Sequence, residues 1–258
     1  MASGDFRNPR HILITGASSG IGAALAQAYA RPGIRLSLGG RDDERLAAVA
    51  EACRGAGSDV SVAILDVCDA NAMAAWIARE DAAAPLDLAI ANAGISAGTG
   101  GSGEPAEQVR RILATNCEGV VNTVLPALDL MRARKRGQIA IVSSLAGFRG
   151  FPGAPAYCAS KAMVRVWGES LRGHLAGEGI GVSVICPGYI DTPMTRVNRF
   201  PMPFLMTAER AAAICKRGLA RNRPRIAFPA PTFFAVWLLA LLSPRLTDPL
   251  LRRLPSKD

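Results

Sequence analysis

Short apolar runs alternate along the chain with longer, Ala-rich stretches of helical period. The runs are Ile12–Ile14, Arg35–Leu38, Val60–Leu65, Leu86–Ala91, Gln138–Val142 and Gly181–Ile185, with a seventh at Arg225–Phe228. Each is brief and nearly all apolar, as expected of strands covered on both faces. The intervening stretches Ile21–Ala30, Asp43–Cys53 and Tyr157–Ala176 predict helices. Strand and helix in strict alternation predict βαβ units, right-handed crossovers and a doubly wound parallel sheet of about seven strands in one α/β domain. No repeat or Gly/Ser linker interrupts the pattern. Residues 1–228 therefore read as one unit, and 229–258 as an extension of different character.

The difference is visible in charge. Between Met1 and Thr195 there are 18 basic and 18 acidic residues, whereas from Arg196 to Asp258 there are 12 and 3, which accounts for the whole formal charge of +9. The same region holds the most apolar run in the chain, Phe233–Leu242. Nucleic-acid binding would want basic residues interleaved with polar and stacking groups, and that pattern is lacking. A bilayer span needs about 20 apolar residues. This run is too short, preceded by Pro229 and Pro231 and stopped by Pro244. A second piece, Pro249–Leu254, sets leucines beside Arg252 and Arg253. Two readings stay open: the tail lies in a membrane interface with its arginines at anionic head groups, or it packs against the core or another subunit. The six cysteines are widely spaced and histidines number two, so neither a metal site nor a disulfide scaffold is expected, and the thiols point to a reducing compartment. No signal peptide is visible at the N-terminus, which carries Asp5, Arg7 and Arg10.

The first strand runs into Thr15-Gly16-Ala17-Ser18-Ser19-Gly20-Ile21-Gly22, and a helix begins near Ile21. Gly16 permits a tight turn, Gly20 lets backbone amides approach a pyrophosphate, and Gly22 allows close packing of helix on sheet. The unsatisfied N–H groups of that helix end suit an anion. At the end of the second strand the position that carries an acidic residue in NAD-specific sites is Gly40, followed by Arg41. A guanidinium there suits a 2′-phosphate and favours NADP(H). Asp42 and Asp43 alternatively neutralise it, which leaves NAD(H) open.

Tyr157 and Lys161 are four residues apart on one helix face, and Ser144 ends the fifth strand. An ammonium near a phenol favours phenolate, and a serine hydroxyl there can hold a carbonyl oxygen while the phenol protonates it.

Together these residues resemble the short-chain dehydrogenase/reductase family over about Ile12 to Thr192. Thr15–Gly22 is similar to its cofactor loop, Asp66-Val67 to its adenine-contacting pair and Asn92-Ala93-Gly94 to its N-A-G strand end. Asn116, Ser144, Tyr157 and Lys161 match its catalytic residues, with thirteen positions from serine to tyrosine. Pro187-Gly188, Ile190 and Thr192 resemble its nicotinamide-contacting stretch. The resemblance implies a Rossmann fold and hydride transfer between the nicotinamide and a carbonyl or alcohol. Tyr157 would be acid or base, Lys161 would lower its pKa and bind the ribose, Ser144 would orient the substrate, and Asn116 would hold a water linking Lys161 to solvent. It further implies a homodimer or homotetramer, while the reduced thiols and the N-terminus predict the cytoplasm, on the inner face of a membrane if the tail meets lipid.

Neighbouring residues are expected to play structural parts: Ser143, Cys158 in helix packing, His11 and His174 at the surface or in the core, and Arg132, Arg134, Lys135 and Arg136 as a solvated helix end. Ile95, Leu145, Phe148, Phe151, Tyr189 and Met194, under a cover at Phe200–Met206, are the expected substrate pocket, whose apolar character points to a hydrophobic substrate. A non-catalytic cofactor sensor is the alternative outside enzymology. A nucleotide-sugar epimerase is disfavoured because it would want a different glycine spacing.

Overall fold

The computed structural model describes residues 6–100, 103–198 and 200–251. The elements run β1 (His11–Thr15), α1 (Gly20–Tyr29), β2 (Arg35–Gly40), α2 (Asp43–Gly55), β3 (Asp59–Ile64), α3 (Ala70–Ala83), β4 (Leu88–Ala91), α4 (Ala106–Leu113), α5 (Gly119–Ala133), β5 (Gly137–Val142), α6 (Pro155–His174), β6 (Ile180–Pro187), β7 (Ile190–Asp191), α7 (Pro193–Arg196), β8 (Met206–Thr207), α8 (Ala208–Ala220), β9 (Arg225–Phe228), α9 (Ala230–Leu241) and α10 (Pro244–Leu251). A π-helical turn, Ala114–Glu118, joins α4 to α5, and a 3₁₀ turn, Leu145–Gly147, follows β5.

Seven strands form one parallel sheet in the order β3-β2-β1-β4-β5-β6-β9, so each of the seven apolar runs holds a strand, with Leu65, Leu86 and Asp87 just outside, and the last run is the edge strand β9. The chain winds outward from β1 in one direction and from β4 in the other, which opens a crevice at the carboxyl ends of these two strands. Successive side chains of β1 serve opposite faces. Ile12 and Ile14 join the core under α1, α2 and α8, while Leu13 joins Met73, Trp76 and Val120 on the other face. Burial on both sides explains why the strands read as unbroken apolar runs.

Helix starts follow the capping chemistry. Asp42 accepts the Arg45 N–H to open α2, Asp69 accepts that of Ala72 to open α3, and Thr207 accepts that of Arg210 to open α8.

The basic cluster before β5 departs from the solvated helix end expected of it. Arg132 pairs with Glu178 at 2.8 Å, Arg134 with Asp81 at 2.9 Å and Arg136 with Asp87 at 2.8 Å. Arg134 also donates to the Leu86 and Leu130 carbonyls. The cluster staples the loops at the amino edge of the sheet. His11 is likewise a core residue, its ring held between the Ala84 carbonyl and the Ser37 hydroxyl, and His174 is exposed.

The tail folds back on the carboxyl edge. Phe233 of α9 meets Phe148 edge-on at 5.5 Å and Val236 is buried, while Arg149 donates to Thr247 and Asp248 and so fastens α10. The other face of α9 is open. Among the described residues no helix is long and apolar enough to cross a membrane. Asp5, Arg252, Arg253 and Leu254 lie outside the described residues.

Candidate active site

A cleft of about 510 Å³ runs along the carboxyl edge of the sheet, from Arg41 and Arg45 at one end to Tyr157 and Lys161 at the other. The turn out of β1 forms its floor. Gly16 has φ +65° and Gly20 φ +55°, both in the left-handed region that glycine adopts without strain. A Cβ on Gly22 would come 2.3 Å from the Gly16 carbonyl, so helix and turn touch as only a glycine allows. Ser18, Ser19, Gly20 and Ile21 line the cleft at the start of α1, where N–H groups and the helix dipole face outward. Gly22 itself sits behind that wall.

Asn92 is spent on holding this loop. Its side-chain amide donates to the Thr15 and Gly16 carbonyls at 2.9 and 3.1 Å, while the Thr15 hydroxyl accepts the N–H groups of Asn92 and Ala93. What Asn92, Ala93 and Gly94 present to the cleft is therefore largely backbone. A Cβ on Gly94 would lie 3.2 Å from both Asn116 Oδ1 and Lys161 Nζ, so the chain passes close over the catalytic candidates.

Asp66 and Val67 line the cleft beside Arg41, and the Arg41 guanidinium stands 3.7 Å from the Asp66 carboxylate. The Asp66 carboxyl lies below its ordinary value chiefly because it accepts the Cys68 N–H, with Arg41 adding a smaller part. Asp42 is committed to Arg45, 2.8 Å away, rather than to Arg41. Arg45, a second guanidinium at this end of the cleft, was not singled out from the sequence. Its spacing of four from Arg41, across the start of a helix, was the available signal.

At the other end the turn after β5 presses on α6. Ser143 donates to the Lys161 carbonyl at 2.7 Å, and a Cβ on Gly147 would come 2.7 Å from that same oxygen. This packing brings Ser144, Tyr157 and Lys161 to one place. The Ser144 hydroxyl accepts the Ala146 N–H and donates to the Pro187 carbonyl at 3.4 Å. Lys161 is buried, donates to the Val142 carbonyl at 3.0 Å, and has its Nζ 5.9 Å from the centre of the Tyr157 ring. Burial pushes its pKa down to about 8. The Tyr157 phenol is shifted upward by burial, and the nearby Ser144 hydroxyl pulls it partly back.

Asn116 lies in the π-helical turn and behind the cleft wall. Its Oδ1 accepts the Ile95 N–H at 2.8 Å, and its Nδ2 donates to the Ile95 carbonyl at 2.9 Å and to Ser160 at 3.0 Å. The side chain clamps the segment after β4 against α6.

Pro187, Gly188, Ile190 and Thr192 form the opposite wall. Thr192 and Thr195 cap α7 reciprocally, and a Cβ on Gly20 would meet Thr192 at 3.0 Å, so this wall leans over the phosphate loop. Ile95 and Met194 line the cleft as expected of a substrate pocket. Leu145, Phe148, Phe151 and Tyr189 do not. Leu145 is buried against Val184 and Cys186, and both phenylalanines line a separate cavity of about 480 Å³ against α6 and α10. The 3₁₀ turn reverses the chain right after Ser144 and carries them to the far side. Cys158 packs there too, accepting the Phe151 N–H.

The cleft fits a nicotinamide dinucleotide: a glycine cradle and helix end for a pyrophosphate, polar groups at the adenine end, and an acid–base set at the other.

A short chain dehydrogenase family model matches residues 10–201. An uncharacterized oxidoreductase of Myxococcus xanthus (strain DK1622) is 41% identical over 246 residues, 95% of this chain and 97% of that protein. A short chain dehydrogenase/reductase of Burkholderia phymatum, solved in complex with NAD, superposes with TM-score 0.82 at 26% identity over 98% of either chain. A chain from Beutenbergia cavernae with bound NADP gives TM-score 0.78 at 26% identity over 92% of this chain and 100% of that one. These likenesses support a nicotinamide cofactor in the cleft. On the family model and the identity across nearly its whole length, the chain belongs to the short-chain dehydrogenase family and is an oxidoreductase.

Proposed function

We propose that the chain is an NADP(H)-dependent carbonyl reductase or alcohol dehydrogenase acting on an apolar substrate, with residues 1–228 as its catalytic unit. The observation that carries this is the meeting of Ser144, Tyr157 and a buried Lys161 at one end of a cleft whose other end carries two arginines and whose middle is a glycine cradle. The bound nicotinamide would supply or accept the hydride.

The chain's own groups divide the remaining work. Ser144 holds the substrate oxygen, and its hydroxyl stabilises charge developing there. Tyr157 gives that oxygen its proton in reduction and takes it back in oxidation. Lys161 sets a positive charge beside the phenol and offers N–H donors to ribose hydroxyls, held in place by the Val142 carbonyl. Asn116 keeps Ile95 and Ser160 in register so that Lys161 stays between α6 and the segment after β4.

Gly40 ends β2 with no acidic side chain, and Arg41 and Arg45 flank that position, which supports a 2′-phosphate. A second reading keeps the chemistry with NAD(H). It is favoured by the ion pairs Arg41–Asp66 and Arg45–Asp42, which already offset part of the positive charge. Ile95 and Met194 at the cleft, with Phe204 and Leu205 exposed in the covering segment and Tyr189 edge-on to Phe200, support a hydrophobic substrate. Exposed Leu125 on α5 and Met163 and Val166 on α6 support pairing of two chains through those helices. Turnover of a panel of ketones and alcohols with each cofactor tests the reading. Apolar substrates should be turned over fastest, and a strict preference for small charged substrates, or for NADH, would overturn it.

A further inference from the structure

We propose that α9 and α10 form a docking surface for an anionic lipid bilayer. The inward face of α9 is set by Phe233, Val236 and Leu239, spaced three apart, which rest on the sheet edge or are partly covered. The opposite face, at the spacing i, i+3, i+4, i+7, is Phe234, Trp237, Leu238 and Leu241, exposed by 60, 44, 56 and 63%. Leu242, Leu246 and Leu250 continue the exposed apolar surface onto α10. A helix apolar on all sides belongs in a core or in lipid, and its outward side here is covered by none of the described residues.

The occupant follows from length, charge and position. Twelve residues of α helix make about 18 Å, short of the roughly 30 Å hydrocarbon core, so α9 lies along a membrane rather than through it. From Ala230 onward the sequence carries Arg245, Arg252, Arg253 and Lys257 against Asp248 and Asp258, and Asp248 is already paired with Arg149 at 3.0 Å. A basic apolar segment with a tryptophan beside leucines complements anionic head groups over acyl chains, whereas a second copy of this chain would set like charges together. Self-association also has its own apolar positions on α5 and α6.

The surface is tied to the cleft. The Gly188 N–H donates to the Phe228 carbonyl at 2.8 Å just before α9, and Arg149, five residues after Ser144, fastens α10. Docking therefore holds the Pro187–Gly188 wall of the cleft, and the turn that follows Ser144, beside the bilayer. It does not depend on the nature of the substrate, and the two readings fail separately.

Cosedimentation of the full chain with phosphatidylcholine vesicles, with and without phosphatidylglycerol, tests the proposal. Binding should be roughly tenfold or more stronger with phosphatidylglycerol and weaken at high salt. Trp237→Glu combined with Leu238→Glu should abolish binding while the nicotinamide cofactor still binds. In the unaltered chain, brominated phosphatidylglycerol should quench tryptophan fluorescence, and Trp237→Phe should remove that quenching. No binding by the intact chain, binding unchanged in the double variant, or quenching unaffected by Trp237→Phe would overturn it. So would a double variant that turns a dimer into monomers in sedimentation while the intact chain ignores vesicles, which would assign the face to a second copy.

Discussion

Replacing Lys161 with methionine is expected to remove turnover and yet leave the protein as stable as before or more so. Burial pushes the ammonium from an ordinary 10.5 down to about 8, and a fall of that size corresponds to about 3 kcal/mol of disfavoured charge. The folded pKa is the lower one, so between these two values the unfolded chain holds more protons and stability rises with pH. The cost is complete below about pH 8 and relieved above 10.5. Methionine removes that cost but gives up the donation to the Val142 carbonyl, leaving a buried acceptor at about 1–3 kcal/mol. The net effect at neutral pH is a gain of about 0–2 kcal/mol, raising Tm by up to roughly 6 °C in a protein of this size. Urea titrations of both proteins, at neutral pH and at steps between pH 8 and 10.5, measure it. The unaltered protein should gain stability across that window and the variant should not. A variant clearly less stable at neutral pH, or one with the same pH slope, would refute the reasoning that the fold strains to hold this charge.

Arg41→Ala should weaken NADPH by about 10- to 100-fold while changing NADH by less than about threefold, as fluorescence titration would show, because one charge-assisted pair with a phosphate is lost. Equal losses for both would end the phosphate role of Arg41. At the other edge of the sheet, burial lowers the His11 pKa below its ordinary 6.5, and Glu80, which burial alone would raise, is held below its ordinary 4.5 by donors from Ser37, Arg79 and Ser61. Both folded values are depressed, so the stability they contribute is present at neutral pH and is lost as pH falls, first through the histidine range and then through the carboxylate range. Glu80→Gln should cost about 1–2 kcal/mol at neutral pH by weakening the bonds from Ser37, Ser61 and Arg35, while Arg35 keeps Asp59 and Arg79 stays in solvent, and should flatten the acid end of the denaturation profile. An unchanged profile would show that the network carries no such linkage.

The strands were legible because burial on both faces leaves a signal in consecutive residues. The glycine loop was legible because its backbone conformation admits few other residues. What stayed hidden depends on residues far apart in sequence. Arg132, Arg134 and Arg136 look like a solvated run until Asp81 from α3 and Glu178 and Asp87 from other loops arrive beside them. The π-helical turn at Asn116 is too short to be read from apolar spacing, which is equally silent on the commitment of that side chain to Ile95 and Ser160. Phe148 and Phe151 follow Ser144 closely in sequence but leave the cleft because a 3₁₀ turn reverses the chain between them. The short β7–β8 ladder, two residues a side, is below what a hydrophobic pattern resolves. The outward face of α9 was legible as an apolar run, though which of its residues stay uncovered was not.

The central claim is that the Tyr157 phenol exchanges the proton that accompanies hydride transfer. Steady-state turnover of Tyr157→Phe, alongside direct titration of its cofactor affinity, tests this most directly. Removing one oxygen atom should lower kcat by about 10²- to 10⁴-fold while the nicotinamide cofactor binds within a few-fold of its original affinity. Turnover within a few-fold of the unaltered protein would contradict the account.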